Sequence, residues 1–93
     1  MIRSFHDRDT ECLAARQRVK KWSPELGKAA LRKLRMLDAA EELTDLRVPP
    51  GNRLERRKGD RQGQHSIRSN NQWRICFRWE AGNAYDVEIV DYH

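Results

Sequence analysis

Apolar residues first recur at Cys12, Ala15, Val19 and Trp22, a spacing of i, i+3, i+7 and i+10 that makes one helical stripe, with Asp9 or Thr10 as its cap. Ser23-Pro24 then reads as an N-cap followed by proline at the first helical position, where its missing N–H costs nothing. The helix that follows puts Leu26, Ala30, Leu34 and Leu37 on one face and leaves Lys28, Arg32 and Arg35 largely off it. It should fade near Ala40, with one more turn over Glu41 to Leu46, before Pro49-Pro50-Gly51-Asn52 closes the helical half.

Beyond that point the period changes from about 3.6 to 2. A short strand is expected at Leu54, a loop over Gly59-Asp60-Arg61-Gln62-Gly63, and three strands at His65–Arg68, Trp73–Trp79 and Ala84–Val90. In the middle strand Trp73, Ile75, Phe77 and Trp79 point one way, and Arg74, Cys76 and Arg78 the other. Residues Ile2 to Phe5 could add an N-terminal strand. The expected architecture is α+β, two N-terminal helices packed on a small, mainly antiparallel sheet. The 93 residues form one domain, with a helical half over about 8–46 and a sheet half over about 52–93.

Hydrophobic matching also sets a register. Ile67 opposite Ile75 brings His65 to Phe77, Ser66 to Cys76 and Arg68 to Arg74, around a short loop at Asn70-Asn71-Gln72. Phe77 opposite Val87 and Ile75 opposite Ile89 bring Arg78 to Asp86, Cys76 to Glu88 and Arg74 to Val90, with Tyr92 just beyond on the same face. Arg78–Asp86 is then a cross-strand ion pair, whereas Arg68 and Arg74 repel across the pair. Either those two splay into water or an anion lies between them.

Composition adds a sign to that sheet. Lys and Arg number 19 against 14 Asp and Glu, a net +5, with mean hydropathy −0.99. From Arg47 to Arg78 there are nine bases and only Glu55 and Asp60 as acids, so this stretch alone carries +7. Four acids and no base fill Asp38–Asp45, and four acids with no Lys or Arg follow Arg78. A basic middle of this kind fits a nucleic-acid partner, although it also fits a solvated face. No apolar run approaches the ~20 residues of a bilayer span. Cys12 and Cys76 read as ordinary thiols of a reducing compartment, and the N-terminus lacks a secretory signal, so the expected location is cytoplasmic. His6, His65 and His93 with the two cysteines have no zinc-ligand spacing, no carboxylate cluster suits magnesium, and Gly59–Gly63 is not a phosphate loop. No metal or other cofactor is expected.

The sequence finishes Val90-Asp91-Tyr92-His93, beside a strand that carries Arg74. An imidazole titrates near neutrality, and an α-carboxylate on the same residue would favour its protonated form. Pro49-Pro50-Gly51-Asn52-Arg53-Leu54, Lys58-Gly59-Asp60, Gln64-His65-Ser66-Ile67, Gln72-Trp73-Arg74-Ile75-Cys76-Phe77 and Val87–His93 together resemble the HigB branch of the RelE toxins. The likeness runs almost the full length, is closest to the growth-rate-affecting members, and is most specific at Trp-Arg and Asp-Tyr-His. It implies a type II toxin that enters the ribosomal A site and cleaves mRNA during translation. Its implied partners are the 70S ribosome and a HigA-type helix-turn-helix antitoxin, with operator DNA bound only through that antitoxin, and no membrane.

The resemblance carries function onto Lys58, Arg74, Asp91, Tyr92 and His93. Arg74 and Lys58 become phosphate clamps assisted by Arg68. His93 becomes the general acid or base, Asp91 its orienting group or a wall of the mRNA channel, and Tyr92 a stacking or backbone-bonding group. Lys20, Lys21, Arg32, Lys33, Arg35, Arg53, Arg56, Arg57 and Arg61 would grip RNA. Two departures stand out. Glu55, followed by Arg56-Arg57-Lys58-Gly59, occupies the place of a family histidine, and Gln64-His65 replaces an aromatic pair. Glu55 could act as a base only if burial raised its pKa. His65, opposite Phe77, reads as a core or sheet-edge residue, and Cys76 as a packed thiol. A non-catalytic RNA- or DNA-binding module, or a protein-interaction domain, would use the same basic face.

Overall fold

A computed structural model describes residues 1–56 and 63–91. Its elements run α1 (Arg8–Ala14), α2 (Pro24–Ala39), 3₁₀ turns at Leu43–Arg47 and Pro50–Asn52, then β1 (Glu55–Arg56), β2 (Gln64–Arg68), β3 (Trp73–Glu80) and β4 (Asn83–Asp91). The strands form one antiparallel sheet in the order β1-β2-β3-β4. The α+β architecture is the expected one.

Helix α1 is shorter than its apolar stripe implies. Its cap is Asp7, whose Oδ1 accepts from Thr10 N–H at 2.7 Å, and it stops at Ala14. Arg16 turns left-handed at φ +65, so Gln17 N–H reaches Cys12 O at 2.9 Å and Arg16 N–H reaches Leu13 O at 2.9 Å. That pair of bonds is a Schellman stop. Thr10 and Leu13 are the residues α1 buries, Cys12 is half-buried, and Trp22 enters the core from the following segment.

Helix α2 follows its pattern. Ser23 Oγ accepts from Leu26 N–H at 3.1 Å, Pro24 opens the helix, and Leu26, Ala30, Leu34 and Leu37 are buried. They pack with Ile67, Ile75, Phe77, Val87 and Ile89 in one core cluster. Lys33 departs from the expectation of an RNA-gripping cation. It is buried, its Nζ donates to Asn52 Oδ1, and burial followed by the neighbouring Arg32 charge lowers its pKa. Asn52 Nδ2 in turn donates to Leu46 O at 3.1 Å, which ties α2 to the proline segment. Beneath that segment, Asp45 accepts from the Glu41 and Glu42 N–H groups, and its pKa is lowered, mostly by the Glu42 bond.

The β2–β3 register is the expected one: Ile67 faces Ile75, His65 faces Phe77, Ser66 faces Cys76 and Arg68 faces Arg74. In β4 the lower half agrees, with Arg74 opposite Val90, Ile75 opposite Ile89 and Cys76 opposite Glu88. A bulge then intervenes, with Asp86 at φ +53, and shifts Arg78 opposite Tyr85 instead of Asp86. The shift corrects the pairing expected for Arg78, yet the ion pair survives, with Arg78 Nε donating to Asp86 Oδ2 at 2.9 Å. Leu54 lies half-buried just before β1 rather than inside it, and Ile2 and Phe5 make isolated parallel bridges to β4 instead of a strand. The expected Gly59–Gly63 loop falls, except for Gly63, outside the described residues. No helix among them is long and apolar enough to cross a membrane.

Candidate nucleic-acid interface

Alternation divides the sheet. Ile67, Ile75 and Phe77 face the helices, while Ser66, Arg68, Arg74, Cys76 and Glu88 occupy the other register. Ser66 opposes both Glu55 and Cys76, so Arg74, two residues before Cys76, reaches it on the diagonal. The guanidinium crosses β2: Nε donates to Ser66 Oγ at 2.8 Å, and Nη2 donates to Ser66 O at 3.2 Å and to Arg53 O at 2.6 Å. Glu55 Oε2 lies 3.7 Å from the same Nη2. Arg53 presents its carbonyl from a left-handed residue, φ +44, that ends the Pro50–Asn52 turn.

Arg74 is therefore not splayed into water; its side chain is only 8% exposed. Arg68 turns the opposite way, into its own hairpin, donating from Nε to Asn70 O at 3.1 Å and from Nη2 to Asn71 Oδ1. The expectation that both splay freely into water is thus corrected. Repulsion is relieved by carbonyl and hydroxyl acceptors that draw the two guanidinium groups apart. Glu55 is half-exposed, at 51%.

The remaining candidates divide. Arg53 and Arg56 are exposed around β1, on the Glu55 side of Arg74. Asp91 is exposed at the end of β4 opposite Trp73, so its register is that of the helix-facing side, and its Oδ2 accepts from Gln72 Nε2 at 3.2 Å. Lys58, Arg57, Arg61, Tyr92 and His93 lie outside the described residues. His65 is half-buried, stacks near Phe77 with ring centroids 6.1 Å apart, and has its pKa lowered by burial first and Arg56 second. Cys76 is fully buried. Sequence reasoning missed Ser66 and the Arg53 carbonyl as the seat of Arg74. The register already set Ser66 diagonal to Arg74, which was the signal available.

Chemically, this face offers a fixed cation at the β2–β3 diagonal, a carboxylate beside it, and exposed arginines toward the segment that follows Arg56. Across residues 3–93 the chain matches the family described as RelE-like toxin of type II toxin–antitoxin system HigB. It is 52% identical over 61 residues to Toxin HigB-1 of Vibrio cholerae, covering 66% of this chain and 64% of that protein. Over 61 residues it is 38% identical to Endoribonuclease HigB of Proteus vulgaris, covering 66% of this chain and 65% of the relative. The chain thus spans a little under two thirds of these relatives' length. Among solved structures, the YoeB-YefM complex from Staphylococcus aureus superposes with TM-score 0.58 at 14% identity, covering 100% of this chain and 98% of the matched one. That likeness is one of fold.

Proposed function

Because the chain belongs to the HigB family of RelE-like toxins of type II toxin–antitoxin systems, we propose that it is an endoribonuclease that cuts mRNA on the translating ribosome. The neutralising partner in this reading is a HigA-type helix-turn-helix antitoxin, and operator DNA is reached only through it. The observation that carries the reading is the pairing of Arg74 with Val90. It sets a cation of the non-helical face beside the last strand residue before Asp91-Tyr92-His93.

RNA brings its own nucleophile. The 2′-OH attacks the adjacent phosphorus, the 2′-O–P bond forms, and the bond to the 5′-oxygen breaks, leaving a 2′,3′-cyclic phosphate and a 5′-OH. One group takes the 2′ proton and one delivers a proton to the leaving oxygen; His93 is the residue proposed for this exchange, oriented by Asp91, with Tyr92 against a base or the backbone. Arg74 and Lys58 hold the phosphate, where a preorganised cation contributes about 10²–10³ in rate. Arg53, Arg56, Arg57, Arg61 and Arg68 contact the RNA backbone. The ribosome aligns the message, so modest acid–base groups suffice.

One observation favours a second reading, a module that binds RNA or DNA without cutting it: the Arg74 donors already hold Ser66 and Arg53. Translating a message in a reconstituted system, beside the same message lacking its start codon, separates the two. Cuts confined to the translated message support the nuclease. Equal cutting of untranslated RNA would contradict ribosome dependence, and binding without cuts would favour the module.

A further inference from the structure

A second concentration of positive charge lies in the helical half. From Cys12 to Leu37 there are eight bases (Arg16, Arg18, Lys20, Lys21, Lys28, Arg32, Lys33 and Arg35) and one acid, Glu25, a net +7 that equals the sheet stretch. All but Lys33 are exposed. On α2, Lys28, Leu31, Arg32 and Arg35 recur at i, i+3, i+4 and i+7, a second stripe turned away from the core.

Three surface depressions meet along this stripe. One of about 290 Å³ has Leu13, Val19, Trp22 and Leu31 in its walls, beside Arg16, Arg18 and Lys28. Another of about 460 Å³ lies over Ala29 and Leu31 among Lys28, Arg32 and Arg35. The last, about 430 Å³, runs from Leu31 and Leu34 to Ile2 and Phe5, with Arg35 at its border. Leu31 lines all three. The acids stand at the ends, Glu25 at one and Glu11 and Asp38 at the other, with the cations between them.

We propose that the outer face of α2 is a docking groove for an acidic, amphipathic segment of a protein partner, its apolar side chains seated around Leu31 and its carboxylates on Arg16, Arg18, Lys28 and Arg32. An apolar floor within a cationic border suits a helix laid in a groove. It suits nucleic acid less well, because of the two aromatics in the lining Trp22 is buried and Phe5 is half-buried against the core, so neither offers an open stacking platform. This groove and Arg74 lie on opposite sides of the sheet, so an occupant leaves the Arg74 face open. The inference does not depend on RNA cleavage.

The test uses the full chain and a labelled helical peptide of about 16 residues, with leucines at i, i+3, i+4 and i+7 and glutamates elsewhere. Controls are the same peptide with its leucines changed to serine and a single-stranded RNA of similar length. Anisotropy should give micromolar binding of the acidic leucine peptide, weakened about tenfold or more by Leu31→Asp and by Lys28→Glu with Arg32→Glu. Lys28 and Arg32 are exposed and Leu31 is half-buried, and an unchanged thermal midpoint confirms that each variant is folded. RNA binding should be insensitive to Leu31→Asp. Three outcomes overturn the proposal: no binding of the acidic leucine peptide, equal binding by Leu31→Asp, or equal binding of the serine peptide. The last would mark a simple polyanion surface.

Discussion

Arg74 donates three hydrogen bonds to Ser66 and Arg53, and its removal deprives two carbonyls and a hydroxyl of a donor at a largely buried position. Arg74→Ala should therefore cost about 2 kcal/mol in denaturant unfolding as well as activity. Arg74→Lys keeps the charge but not the forked geometry, and should recover stability only in part. Glu55→Gln tests the neighbour. A half-exposed ion pair is worth at most about 1 kcal/mol, so releasing it should raise the initial cleavage rate by no more than about fivefold. A hundredfold fall would instead assign Glu55 a proton-transfer role. His65 makes a pH prediction. Its folded pKa lies below 6.5, so the unfolded chain takes up the proton more readily. Its contribution is present above about pH 6.5 and lost as pH falls toward the folded value. The unfolding midpoint should drop between pH 7 and 5, and His65→Gln should lessen that drop. At this scale the cross-strand neighbours of Arg74 were readable from hydrophobic matching. The destination of its head group was not, because that depends on a carbonyl contributed by Arg53, 21 residues away.

Among elements, the strongly periodic ones were legible and the points where the chain turns were not. Helix α2 and strands β2 and β3 follow from periodicity and from the Ser23-Pro24 start, whereas α1 ends where its apolar stripe would continue. A left-handed arginine stops it, in a place where glycine is usual. The β3–β4 hairpin turns on Ala81 and Gly82, both at positive φ (+48 and +80), the geometry of a type I′ turn. Arg16→Gly and Ala81→Asn should each stabilise by about 1 kcal/mol, read as a raised thermal midpoint. Gly82→Ala should destabilise, since a Cβ there meets Glu41 O at 3.3 Å as well as the φ penalty. Inside the fold, Asn52→Ala should cost about 2 kcal/mol by unpairing the buried Lys33 ammonium and the Leu46 carbonyl. The bulge at Asp86 escaped hydrophobic matching because both registers keep Val87 and Ile89 in the core.

For the molecule as a whole, charge is divided between two faces that the sheet separates. The sheet face carries Arg74 and leads toward the segment containing Lys58; the α2 face carries Lys28, Arg32 and Arg35 around Leu31. Charge counted along the sequence makes Arg47–Arg78 and Cys12–Leu37 equally basic, +7 each. What that count does not show is that three depressions meet at Leu31 among the helical cations, which depends on the folded surface. The central claim is that the Arg74 face cleaves RNA held by the ribosome. Its most direct measurement is single-turnover cutting of a ribosome-bound message, with the new ends mapped chemically and the protein compared with Arg74→Lys. We expect 2′,3′-cyclic phosphate and 5′-OH ends, and a rate about 10²–10³ lower in a folded Arg74→Lys. Ends bearing a 5′-phosphate, or an undiminished rate in that variant, would contradict it.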